Sequence, residues 1–162
     1  MLTQRARREN AVLNVVQADL FDPDASLVGN FDFSYTIGVV EHFADLAAVV
    51  REIARFGASN ATVVTEIPNM AGLLGSLTKR WNRTVYDLHV PHDLKSLTRG
   101  HLDAGVIVER TGYLFSQNFN VLSSCFKSRA NRGWSTYLWM SRLTKAIWYF
   151  EDRIGDLPHT AN

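Results

Sequence analysis

Two periods of hydrophobic spacing alternate along this chain. Short, unbroken apolar runs are separated by longer stretches that repeat every three to four residues. The runs Val12–Ala18, Phe31–Val40, Ala61–Ile67 and Val106–Leu114 read as strands, the third stopped by Pro68-Asn69. Phe119–Cys125 reads either as a strand or as an irregular extension. The clearest helix spans 45–56: Asp45 can cap it, Leu46, Val49, Val50 and Ile53 form one stripe, and Gly57 can end it. A second helix is predicted over 93–104, with Leu94, Leu97 and Leu102 on one face and Gly105 just beyond. A long helix over 136–153 carries a predicted buried seam of Met140, Leu143, Ile147, Phe150 and Ile154. Residues 2–11 look like the end of a helix, with Arg5, Arg7 and Arg8 in its last turn. Residues 70–92 mix Gly72, Gly75 and Trp81 and read as a lid or insertion with partial helix.

Strands that alternate with helices predict an α/β fold with parallel strands. Right-handed crossovers then bring the strand ends to one rim. That rim would carry Asp19, the segment Ile37–His42, and Pro68-Asn69, which together suggest a pocket. The expected organisation is one domain over 1–125, with 126–162 as an amphipathic helix packed on it.

Composition narrows the classes. The 162 residues are 46% hydrophobic and 20% charged, with net charge +1, so neither disorder nor a nucleic-acid surface is indicated. The single Cys125 cannot form an intramolecular disulfide and reads as a small buried apolar residue. No apolar run is long enough to span a membrane, and the Arg-rich start lacks the apolar stretch of a secretory signal. A reduced, cytoplasmic setting is expected. Trp134, Trp139, Trp148 and Tyr149 could form a greasy face for a lipid-like ligand or membrane surface, or serve as core or oligomer contacts.

Four segments in order resemble the class I S-adenosylmethionine-dependent methyltransferases, of the type 11/12 kind. They are Val15–Phe21 (VVQADLF), Gly38–His42 (GVVEH), Glu66–Asn69 (EIPN) and Leu102–Val108 (LDAGVIV). In that family they end the third, fourth and fifth strands and lead into the sixth. The resemblance implies a Rossmann-like sheet of order 3-2-1-4-5-7-6, here with strands three to six, without strands one and two, and with strand seven doubtful. The glycine-rich loop that grips the cofactor would be missing with them.

The resemblance implies an enzyme that transfers methyl from S-adenosylmethionine to a small-molecule acceptor, through O- or C-methylation. It places Asp19 at the adenine amino group, Leu20 at the ring edge, and Ile37 and Gly38 along the cofactor wall. Capping its own turn is the plainer reading of Asp19. Glu41 and His42 fall near the acceptor, with His42 suited to general-base work because the unperturbed pKa of a histidine lies near neutrality. They could equally satisfy the free N–H groups of a helix start. Asn69, His89 and His92 fall on the substrate side. No metal is expected: Gly38 stands where a metal-using branch has Glu, and neither a cysteine partner nor a helical His-x-x-x-His is present. A non-catalytic remnant, completed by a complementary chain or an oligomer that covers the missing strands, is the competing reading. A hydrolase using Glu41-His42 lacks the Gly-x-Ser-x-Gly elbow.

Overall fold

In a computed structural model of the chain, residues 8–114, 117–126, 128–131 and 133–155 are described. Two parallel strands, β1 (Phe31–Ile37) and β2 (Gly57–Glu66), form the sheet among the described residues. Helix α1 (Leu46–Arg55) crosses between them. Four further helices follow: α2 (Leu73–Trp81), α3 (Arg83–Tyr86), α4 (Leu94–Asp103) and α5 (Trp134–Ile154).

The crossover forms where the pattern predicts it. Asp45 accepts a hydrogen bond from the Ala48 N–H at 2.9 Å and so caps α1. The stripe Leu46, Val49, Val50 and Ile53 is buried with Val40, and Leu20, Val63, Ile67 and Leu97 pack around it. β2 starts four residues earlier than its apolar run. Phe31 pairs with Gly57 but Phe33 pairs with Thr62, so β2 bulges between them, and Asn60 takes the left-handed conformation at φ 67°.

The expected four-strand sheet is corrected to two. Residues 12–18 and 106–114 form no ladder, and Val12 and Ile107 are 92% and 90% exposed. The implied strand order explains this. Strand three would pair only with strand two, and strand six only with strand seven; strands four and five are the neighbouring pair among those expected, and they are the pair that forms. The segment 106–114 runs as irregular extended chain. The helix expected over 2–11 lies largely outside the described residues.

Phe119–Cys125 is neither strand nor irregular extension but a 3-10 helix. Phe119, Leu122 and Cys125 are its buried residues, and their spacing of three is the repeat of that helix. They form a second core with Leu74, Leu77, Trp81, Tyr137, Met140 and Ile147. Burial pushes the Cys125 thiol pKa up. Helix α5 docks on this core through Tyr137, Met140, Thr144 and Ile147, so of the predicted seam Met140 and Ile147 face the core and the rest do not. Leu143, Phe150 and Ile154 are exposed, and the Thr144 hydroxyl instead accepts from the Phe119 N–H at 3.0 Å. Trp148 is held inside by donating to the Gln117 carbonyl, and Trp134 stacks with Tyr137, so Trp139 and Tyr149 are the outward-facing pair of the four aromatics.

Two substitutions test these supports. Asp45→Ala should lower the unfolding free energy by about 1 kcal/mol in urea titration. At Gly75 an added Cβ would lie 1.7 Å from the Met70 carbonyl oxygen, a backbone atom that cannot swing aside. Gly75→Ala should therefore cost about 1–3 kcal/mol by overpacking, despite a gain in helix propensity.

Candidate active site

Both parallel strands end at one edge, and the functional residues collect there. Gly38 turns the chain away from β1 at φ 65°, a left-handed conformation that favours glycine. Its N–H donates to the Glu66 carbonyl at 2.8 Å and closes the ladder. The next residues, Val40–His42, form a single 3-10 turn. That turn aims Glu41 inward and His42 toward the segment after α3. Glu41 and His42 thus precede α1 and do not begin it; Asp45 is the cap.

Two hydrogen bonds fasten the segment after α3 to this turn, and others brace the segment itself. The Val90 N–H donates to the Glu41 carbonyl at 2.7 Å. His42 Nδ1 lies 2.8 Å from the Leu88 carbonyl, and the His89 N–H donates to the Tyr86 carbonyl at 3.0 Å. His89 Nδ1 is likewise 2.8 Å from the Val85 carbonyl. A carbonyl can only accept, so each Nδ1 carries the hydrogen and each neutral ring keeps its lone pair on Nε2. The two imidazoles lie 4.7 Å apart between centroids.

Glu41 is 1% exposed, and its Oε2 has no hydrogen-bond partner among the described residues. One ligand atom each from Glu41, His42 and His89 lies within 4.8 Å of the others. Two imidazoles and a carboxylate are a donor set that could hold a divalent transition metal. Backbone carbonyls already orient both rings as metal-ligating histidines require. The sequence offered no sign of this convergence, because His89 reaches His42 only through the folded path of α2 and α3. Zinc-type spacing and Gly38 bear on other ligand sets, and the resemblance places His89 on the substrate side alone.

A cleft of about 720 Å³ opens over this edge. Ile37, Gly38, Glu41 and His42 line it from the end of β1. Asn69, His89 and His92 line it as well, and Leu73, Leu97 and Val121 add apolar surface. In its lining the Tyr35 hydroxyl hydrogen-bonds to the Glu66 carboxylate, which raises the Tyr35 pKa. The sequence assigns neither residue a role, although Glu66 opens the EIPN segment. Asn69 also accepts from the Gly72 N–H at 3.1 Å, which fixes the start of α2.

Asp19 and Leu20 stand apart from the cleft. Asp19 accepts from the Phe21 N–H at 2.9 Å, an Asx-type turn, and Leu20 packs against the first core. The residues assigned to the acceptor side are thus brought together, whereas the adenine-side pair is not joined to them.

Burial lowers the pKa of His92, with the nearby Asp93 and Glu41 charges acting in the opposite direction. A depressed value in the folded state means that the unfolded chain takes up the proton first. Stability should therefore hold above the ordinary histidine value of 6.5 and decline as pH falls below it. His92→Gln should flatten that decline in denaturation midpoints measured between pH 7 and 5.

An open α/β unit with its cleft at the carboxyl ends of parallel strands is a ligand-binding class of fold. Residues 1–65 match the methyltransferase domain family. That match supports a class I S-adenosylmethionine-dependent methyltransferase. It takes in two of the four resembling segments, Val15–Phe21 and Gly38–His42, and stops at the end of β2. No curated protein and no solved structure gives a significant match. No helix among the described residues is long and apolar enough to cross a membrane.

Proposed function

We propose that this chain serves methyl transfer from S-adenosylmethionine to a small-molecule acceptor, with oxygen or carbon as the methylated atom. The observation that carries the reading is the placement of Glu41 and His42. They lie in the part of the chain that matches the methyltransferase domain family, and they face the cleft at the carboxyl end of β1. Bound S-adenosylmethionine would supply an electrophilic methyl group. The residues of this chain would do the rest. His42 is fixed by the Leu88 carbonyl with its Nε2 lone pair available, so it can take the proton of an acceptor hydroxyl. The buried carboxylate of Glu41 would stabilise the imidazolium that results. Asn69, His89 and His92 would hold the acceptor, and the surrounding leucines would exclude water. Ile37 and Gly38 would form the cofactor wall. Asp19 and Leu20 would meet the adenine only once the segment 12–20 closes toward β1, because they now stand outside the cleft.

A second reading is favoured by one observation. Helices α1 and α4 cover one face of the sheet, while Phe31, Phe33, Tyr35 and Ile37 leave the other face exposed. A half-domain that gains its cofactor site from a complementary chain or oligomer would have this surface.

Calorimetric titration with S-adenosylhomocysteine separates the two. Micromolar binding, weakened about tenfold or more by Asp19→Ala through loss of a charged hydrogen bond, supports the first. His42→Asn should then retain that binding but slow turnover of phenolic acceptors by about 10²–10⁴-fold. Absence of binding to the chain alone supports the half-domain.

A further inference from the structure

Helix α5 carries an exposed apolar stripe beside the face that packs on the core. Trp139, Leu143, Ala146, Phe150 and Ile154 recur at spacings of four, three, four and four, which keeps them on one face. Trp139 is 65% exposed, Phe150 55% and Ile154 70%. The neighbouring face, through Met140, Thr144 and Ile147, is the one that packs on the second core. The helix has 21 residues, so the stripe runs for about 30 Å.

Charge tells what would cover it. Arg142 and Arg153 border the stripe on one side, and Lys145 lies further round on that same side. All three are exposed, and none has a carboxylate partner among the described residues. Arg153 stacks over the Tyr149 ring at 3.5 Å, which brings a cation and an aromatic to the same border. Glu151 lies toward the core side, and the exposed Asp152 lies beyond Lys145, away from the stripe. Arg129 adds another exposed cation just before the helix. A second copy of this helix would bring like charge to like charge, whereas paired helices usually set opposite charges beside the apolar seam. The exposed face of the sheet lacks this feature: the charged group shown beside its aromatics is the acidic Glu66, which meets the Tyr35 hydroxyl.

An apolar stripe with an aromatic at the water boundary and cations along its border is the chemistry of a helix lying in the headgroup layer of a bilayer. We infer that the outer face of α5 docks this protein on an anionic lipid surface, with Trp139, Leu143, Phe150 and Ile154 in the acyl boundary and Arg142, Lys145 and Arg153 at the lipid phosphates. This surface is separate from the cleft and does not depend on which acceptor, if any, the cleft takes.

Co-sedimentation of the full chain with vesicles tests this. Vesicles of 70% phosphatidylcholine and 30% phosphatidylserine should bind at least about tenfold more protein than phosphatidylcholine alone, and raised salt should weaken that binding. Trp139→Glu with Phe150→Glu should abolish binding. Arg142→Glu with Lys145→Glu should remove the preference for phosphatidylserine. Because these side chains are exposed, circular dichroism and the melting temperature of each variant should match the parent. Two results would overturn the inference. One is equal or absent binding to both vesicles by the folded parent. The other is a parent that sediments as a dimer and becomes monomeric in Trp139→Glu with Phe150→Glu, without vesicle binding; the stripe would then be a contact between copies.

Discussion

The parallel pairing of β1 with β2 through the α1 crossover is the constraint on which everything else rests. A right-handed crossover has one way to return a parallel strand beside its predecessor while burying the helix stripe between them. The burial of Val49, Val50 and Ile53 against Val63 and Ile67 therefore fixes the register as well as the packing. With the register set, Ile37 and Glu66 end at the same level, and the Gly38 N–H can reach the Glu66 carbonyl. The turn carrying Glu41 and His42 follows from that single closure. Helix α4 is drawn into the same arrangement, since Gly100 lets it lie directly on Leu46.

The parts of the fold legible in the sequence are those whose partners are near in the chain. Helix α1 was readable because cap, stripe and terminator all lie within 45–57, and β1 and β2 because each is a bounded apolar run beside it. The segments 12–18 and 106–114 carry the same β-type composition but form no ladder. Strand propensity describes a residue that suits a pleated surface, and it cannot supply the neighbouring strand. Phe119–Cys125 differs for another reason: in so short a run a spacing of three, the repeat of a 3-10 helix, is hard to tell from extended chain. In α5 the apolar residues are too many to face one way, so periodicity alone could not decide which stripe packs; the Thr144 hydroxyl bond and Trp148 decide it.

The site divides along the same line. Ile37, Gly38, Glu41 and His42 were legible together because a strand end delivers consecutive residues to one place. Asn69 followed from the other strand end. The approach of His89 to His42 was not legible, since it depends on where α2 and α3 lead the backbone and on carbonyls of Val85 and Leu88 that have no side-chain signature. Asp19 was chosen by resemblance and stands apart, because the segment before it has no strand to hold it against β1.

The two histidine hydrogen bonds to backbone carbonyls have a wider consequence. They spend the only N–H of each neutral ring inside the protein, and the Glu41 carboxylate, when ionised, has none to offer. The three groups therefore present lone pairs to a shared volume. Such a basin is selective before any shape is considered. It rewards a visitor that arrives with protons or positive charge, and it penalises one that arrives as an anion with nothing to donate.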